Sequence, residues 1–168
     1  MTSAPRNAAV LNTTVLSNFA HVDHVELLLE LPRVVTVDAV QIELKEGNET
    51  HHYLEQALDV LEDDIPVVTP SSPAQKLEET LLETLDPGEA QELAVAEVAG
   101  GMVVTDDGDA RTVANRRGIR LTGSIGLLVR FVENDRISAD TADTYLKRWI
   151  DEAGFRSPAR GFQRFLDE

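Results

Sequence analysis

The sequence predicts one α/β domain of three layers, in which a mainly parallel sheet is covered by helices on both faces. Short apolar runs alternate with segments of helical periodicity along most of the chain. This alternation is typical of βαβ units, whose strands are parallel and buried on both sides. With 168 residues, 42% of them hydrophobic, the chain is large enough to form one buried core.

In the first half of the chain, apolar runs are followed by segments with helix signals. Residues 8–11 form the first predicted strand, and Thr13 or Thr14 is expected to cap a short helix behind it. Pro32 closes a second, strongly apolar helix, and residues 52–62 carry leucines at helical spacing. The predicted elements are strand 8–11, helices 15–20 and 25–31, strand 34–37, helices 39–46 and 52–62, and a short strand 65–69.

The second half of the chain continues the alternation with clearer helix starts. Asp86 and Glu89 flank Pro87 in an Asp-x-x-Glu capping box, which alone explains both acids. The predicted elements are helices 74–85 and 90–99, strand 102–105, helix 110–117, strand 119–122, helices 123–132 and 139–152, and a terminal piece 160–166. The segment after residue 135 holds most of the aromatic residues, and packing on the domain is favoured over a partner surface.

These elements divide the chain into three predicted parts. Residues 1–7 form a flexible tail, residues 8–135 the domain, and residues 136–168 a helical extension that packs on it. The apolar runs are too short to span a membrane, and the N-terminus lacks a basic segment followed by an apolar one. A cytoplasmic protein without membrane contact is therefore expected.

The composition excludes several kinds of site. The chain has no cysteine, which excludes disulfides, zinc fingers and thiol nucleophiles. Thirty acids against fifteen bases give a net charge of −15. Because the acids are spread along the chain and lysine is scarce, this charge favours a salt-adapted, halophilic cytoplasm over the avoidance of anionic partners. At molar salt the screening length is only roughly 3 Å, so the charge does not exclude RNA as a substrate.

The apolar run at residues 103–105 ends in three acids, Asp106, Asp107 and Asp109. Ligands of open α/β sheets lie at the carboxyl ends of strands. Acids that cluster there repel one another unless a cation offsets them, and Mg²⁺ prefers oxygen ligands. We expect Asp106 to face such a site and assign Asp107 or Asp109 mainly to helix capping. A metal-dependent nuclease needs a cluster of this kind.

Other candidates are weaker when judged by spacing alone. Capping is favoured for Glu89, and a solvated helix face explains Glu43. Asn12 ends the first strand, where a metal site would most require an acid. A phosphotransfer receiver domain also has paired acids, but they would follow the first strand, so this alternative is distant.

Five stretches in order resemble the PIN-like domain family. Among them are a Gly-Glu-Ala helix start, an Asp-Asp pair after a strand and a Thr-Gly-Ser-x-Gly closing helix. The stretches are residues 10–16, 37–44, 85–94, 103–111 and 121–128. The resemblance covers roughly residues 8–132 and is closest to the poorly characterised prokaryotic branch that has the Gly-Glu-Ala and Thr-Gly-Ser-x-Gly signatures.

The resemblance implies a ribonuclease that depends on Mg²⁺ or Mn²⁺. Many small prokaryotic members are toxins of the VapC type, which are neutralised by an antitoxin protein and commonly form homodimers. Carried over by position, the catalytic and metal-binding residues are Glu43, Glu89 and Asp106. The supporting residues are Asn12, Thr13, Thr14, Asp107 and Ser124.

Asn12 departs from the family pattern, which usually has Asp at this position. The amide removes one negative charge from a cluster of about four, and metal-site acids act as a unit. Two hypotheses therefore stand. The protein is an active ribonuclease, in which Asp107 can compensate for Asn12, or it is a catalytically degenerate PIN-like domain with a binding or regulatory role.

Overall fold

A computed structural model of the protein describes residues 3–166. Residues 1 and 2 of the predicted tail and residues 167 and 168 of the predicted extension lie outside the described residues. No helix within 3–166 is both long and apolar enough to cross a membrane.

The sheet has five strands, all of them parallel, in the order β3-β2-β1-β4-β5. Its strands are β1 (Ala9–Leu11), β2 (Val34–Val37), β3 (Val67–Val68), β4 (Met102–Val104) and β5 (Arg120–Thr122). In the centre, Val10 of β1 lies opposite Val35 of β2 and Val103 of β4. The prediction of a three-layer α/β/α domain with a parallel sheet is confirmed.

Residues 3–166 contain nine α-helices and two 3-10 helices, and the last three α-helices follow β5. The α-helices are α1 (Thr13–His21), α2 (Asp38–Asn48), α3 (Glu55–Asp63), α4 (Ser72–Leu81), α5 (Pro87–Ala99), α6 (Gly108–Arg117), α7 (Ser124–Glu133), α8 (Ala139–Ala153) and α9 (Gln163–Leu166). The 3-10 helices are Val25–Glu30 and His52–Leu54.

Three local predictions need correction. The N-cap of α1 is Asn12 rather than a threonine, because the Asn12 Oδ1 accepts the backbone N–H of Thr14 at 2.9 Å. The predicted helix 25–31 is a 3-10 helix, and the predicted helix 52–62 begins with a 3-10 turn before α3. These differences leave the order of elements unchanged.

Aromatic packing joins the C-terminal segment to the core. Trp149 of α8 and Phe162 are fully buried. The Trp149 ring packs edge-on against Phe19 of α1 with centroids 5.2 Å apart, and its Nε1 donates to the backbone oxygen of Asn18 at 2.7 Å. Because Asn18 also contacts Asp106, α8 supports one wall of the carboxyl edge of the sheet.

Candidate active site

The candidate site lies at the carboxyl edge of the sheet, where β1 and β4 are neighbours. The strand order reverses at this point, since the chain runs outward to β2 and β3 on one side and to β5 on the other. Crevices at such switch points are the usual ligand sites of open α/β sheets. Asn12 follows β1, Asp106 follows β4, and Ser124 begins α7 after β5.

Asp106 is held by a set of hydrogen-bond donors. The backbone N–H of Ser124 donates to Oδ1 at 2.7 Å, and the Ser124 hydroxyl donates to Oδ2 at 2.6 Å. Asn18 Nδ2 adds a longer hydrogen bond of 3.3 Å. Burial raises the pKa of Asp106, while the two Ser124 donors and the charge of Arg111 oppose this rise. Its carboxylate is therefore oriented by the start of α7.

Glu43 of α2 is positioned by a hydroxyl and by a glycine. The Thr13 hydroxyl donates to Glu43 Oε2 at 2.7 Å. The other carboxylate oxygen lies so close to Gly88 that a Cβ at position 88 would overlap it. Burial raises the pKa of Glu43 against the effect of Thr13, and the charge of Asp86 raises it further.

Glu89 lies against two other carboxylates. Asp86 caps α5 by accepting the N–H of Glu89 at 3.0 Å, and Asp107 caps α6 by accepting the N–H of Ala110 at 2.9 Å. Burial, followed by contact with Asp86 and Asp107, raises the pKa of Glu89 to about 10. Contact with Glu89 in turn lowers the pKa of Asp107. The group therefore holds a proton on Glu89 and keeps Asp107 ionised.

Glu92 is a residue that the sequence reasoning missed. It is fully buried, and neither of its carboxylate oxygens has a hydrogen-bond partner. Burial raises its pKa well above the ordinary value, the Asn12 amide opposes this, and the charges of Glu43, Asp86 and Asp107 add to it. The available signal was its context, since the apolar residues that follow it belong to a buried stretch of α5.

The structure thus divides the predicted residues into two groups. In the first group, the charge of Asp86 raises the pKa of Glu43 and of Glu89, and Asp107 also acts on Glu89. The charges of Glu43 and Asp107 both raise the pKa of Glu92. Asp106 instead faces Ser124, Asn18 and Arg111. The predicted supporting hydroxyls of Thr13 and Ser124 contact Glu43 and Asp106 respectively, whereas Thr14 is exposed and gives only its backbone N–H, to Asn12.

The described side chains at this edge are of the type that binds a divalent cation, but their present positions do not form a complete binding site. Carboxylate oxygens are the ligands that Mg²⁺ takes, and two of those at this edge, on Glu92, are buried without a partner. Within residues 3–166, however, no three His, Asp or Glu side chains are placed closely enough to hold a metal ion. Side-chain rearrangement is needed before three of these carboxylates share one ion.

A groove of about 730 Å³ runs from the acids to the C-terminal segment. Asp106, Asp107 and Arg111 line it, and so do Phe155 and Arg156, which follow α8, and Phe165 of α9. The groove therefore places two guanidinium groups and two phenylalanine rings beside the carboxylates.

A family model described as PIN domain matches residues 8–168. The chain belongs to the PIN domain family. This confirms the resemblance seen in the motifs and extends it beyond residue 132, through α8 and α9. No curated protein matches this PIN domain.

Three solved structures are among those that the chain matches. VapBC2 from Rickettsia felis, bound to a DNA fragment from its promoter, has a TM-score of 0.51 and 14% identity, over 69% of this chain and 98% of that one. FitAcB from Neisseria gonorrhoeae has a TM-score of 0.47 and 16% identity, over 68% and 96%. VapBC-1 from nontypeable Haemophilus influenzae has a TM-score of 0.49 and 13% identity, over 70% of this chain and 98% of that one. At such identities, the first of these likenesses supports the PIN fold alone.

Proposed function

We propose that this PIN domain protein is a ribonuclease that uses Mg²⁺ or Mn²⁺ to hydrolyse RNA phosphodiesters, and that it is the toxin of a toxin–antitoxin pair. One observation carries the proposal. Acidic side chains crowd the carboxyl edge of the sheet, and among residues 3–166 no Lys, Arg or His is a main influence on the pKa of Glu43, Glu89 or Glu92. A cluster of this kind is stabilised by a divalent cation.

The metal would be held by Glu43, Glu89 and Asp106. When bound there, such an ion would supply Lewis-acid chemistry, namely activation of water and neutralisation of a leaving oxygen. The protein residues supply orientation: the Thr13 hydroxyl fixes one oxygen of Glu43, and both oxygens of Asp106 accept hydrogen bonds from Ser124. Glu89 must first give up the proton that its acidic neighbours stabilise.

The groove beside the acids supports an RNA substrate. Arg111 and Arg156 lie along it and can contact phosphates, and Phe155 offers a ring on which a base can stack. We further propose an antitoxin protein as partner, a homodimer and a cytoplasmic location. Ile42, which precedes Glu43 on α2 and is 56% exposed, offers one apolar side chain to such a partner.

RNA cleavage with Mn²⁺ tests the proposal, at low and at molar salt. We expect wild-type protein to cleave and Asp106→Asn, purified in the same way, to lose most of the activity. Glu79→Gln, which removes an exposed acid from α4, is the charge-matched control and should retain it. Cleavage that survives Asp106→Asn refutes the assigned site.

The second candidate, a degenerate domain with a binding role, is favoured by the role of Asn12 as the N-cap of α1. It predicts that the wild-type protein is inert towards RNA. If Asn12→Asp then gains cleavage, the family chemistry has been lost through this one position.

A further inference from the structure

Glu92 is the one ionisable side chain among the buried polar residues of the described chain. It has no exposed surface, and both of its carboxylate oxygens lack a hydrogen-bond partner. A buried carboxylate is costly to maintain unless it is paired or coordinates a metal. Capping does not explain it either, since it lies inside α5, beyond the first turn. The presence of an unpaired carboxyl group at this buried position therefore needs another explanation.

The surroundings of Glu92 point towards the acidic cluster. The groups that act on it are the Asn12 amide and the charges of Glu43, Asp86 and Asp107. Among residues 3–166 no basic side chain is prominent near it. Glu92 thus faces the same carboxyl edge as the predicted metal-binding acids, from the inner side.

Asn12 is complementary to Glu92 in a way that an aspartate would not be. Its Oδ1 already accepts the N–H of Thr14, so only the amide NH₂ group is left for Glu92, and it forms no hydrogen bond with that carboxylate in this structure. An amide can donate to a carboxylate, whereas an ionised Asp at this position would only accept and would add a like charge. Asn12 therefore stabilises a carboxylate at position 92 while it keeps the capping role at the start of α1.

We propose that Glu92 supplies the metal-facing carboxylate that the end of β1 lacks, and that Asn12 is the residue that positions it. Compared with the family pattern, one carboxylate then lies on α5 instead of at the end of β1, and the number of carboxylates around the site is the same. This inference rests on the proposed function, since it concerns the same metal site. It assigns Glu92 as a metal ligand and Asn12 as a positioning residue.

Binding of Mn²⁺ to the full chain tests the assignment without any nuclease assay. Free Mn²⁺ is measured by electron paramagnetic resonance during titration of wild type, Glu92→Gln and the exposed control Glu79→Gln. We expect Glu92→Gln to weaken Mn²⁺ affinity at least about tenfold, which equals the free energy of about one charge-assisted contact. Glu79→Gln should stay within about twofold of wild type. Equal affinity of Glu92→Gln and wild type overturns the proposal.

A relocation variant separates ligation from a structural effect. Asn12→Asp combined with Glu92→Gln returns the carboxylate to β1 and leaves an amide on α5. We expect it to regain Mn²⁺ affinity relative to Glu92→Gln alone, and failure to regain it contradicts the assignment. If Glu92→Gln does not fold, Glu92→Asp replaces it. This variant keeps the charge but withdraws it by one methylene, so weaker binding supports the proposal and unchanged binding overturns it.

The proposed function and this inference fail differently. Wild-type protein that binds no Mn²⁺ refutes both. Wild type that binds Mn²⁺ as tightly as Glu92→Gln refutes the role of Glu92 only.

Discussion

The proton on Glu89 makes the stability of the metal-free protein fall as pH rises. The pKa of Glu89 is raised from 4.5 to about 10 in the folded chain. Between these values the unfolded chain has lost this proton and the folded chain has kept it, so the unfolded state binds fewer protons. The slope of unfolding free energy against pH is then negative. The contribution is complete below the unfolded pKa and is lost progressively towards the folded one.

The size of this effect follows from the raised pKa. Each pH unit within the window costs up to about 1.4 kcal/mol, or about 2.7 kcal/mol between roughly pH 5.5 and 7.5. Glu89 is partly exposed, and screening by solvent reduces the expected loss to about 1 kcal/mol. For a domain of this size, that corresponds to a fall in Tm of roughly 2–4 °C.

Glu89→Gln is the informative variant, because its amide can still donate to Asp86 and Asp107 but cannot ionise. In chelator-treated protein, we expect the Tm advantage of the variant over wild type to be roughly 2–4 °C larger near pH 7.5 than near pH 5.5. Differential scanning calorimetry at both pH values measures the difference, in which the other titrating groups cancel. Glu79→Gln serves as control. A constant offset between variant and wild type at the two pH values would refute the assigned proton.

Three further changes test individual contacts of the site. Ser124→Ala removes the hydroxyl that donates to Asp106 at 2.6 Å, so we expect a loss of about 1.5–3 kcal/mol in urea unfolding, together with reduced RNA cleavage; full stability would show that the contact carries no energy. Thr13→Val keeps the shape but frees Glu43, and should weaken Mn²⁺ binding by about 1 kcal/mol while α1 remains intact by circular dichroism. Gly88→Ala places a Cβ on the carboxylate of Glu43, so Mn²⁺ affinity should fall even if the melting temperature is unchanged; retention of wild-type affinity would show that Glu43 has room to move.

Periodicity was sufficient to predict the layers of this fold. The core strands β1, β2 and β4 are short apolar runs with no competing helical pattern, and their order along the chain leaves few parallel arrangements. The α1 cap was misassigned because Asn and Thr are both good N-cap residues, and only backbone geometry distinguishes Asn12 from its neighbours. The 3-10 helix at Val25–Glu30 has the apolar composition of an α-helix, so sequence pattern cannot separate the two.

The site was harder to predict than the fold, because each acid has an ordinary local explanation. Asp107 and Asp86 do cap helices, as the spacing indicates, and yet both also lie against Glu89. Glu92 was missed because helical acids are usually solvated. The overlooked signal was its context: Leu93, Ala94, Val95 and Ala96 follow it, and a helix that is apolar on every side is buried, so an acid within it faces the interior.

The two acidic walls of the site differ in what they require of a cation. Asp106 accepts hydrogen bonds from Ser124 and lies near the charge of Arg111. These neutral and positive groups offset part of the rise in pKa that burial causes. Glu89 faces Asp86 and Asp107, and its only relief within the described residues is a proton. Metal binding must therefore displace that proton, and affinity should rise with pH even as the metal-free fold weakens. The same crowding that destabilises the empty cluster is what would make it select a divalent ion.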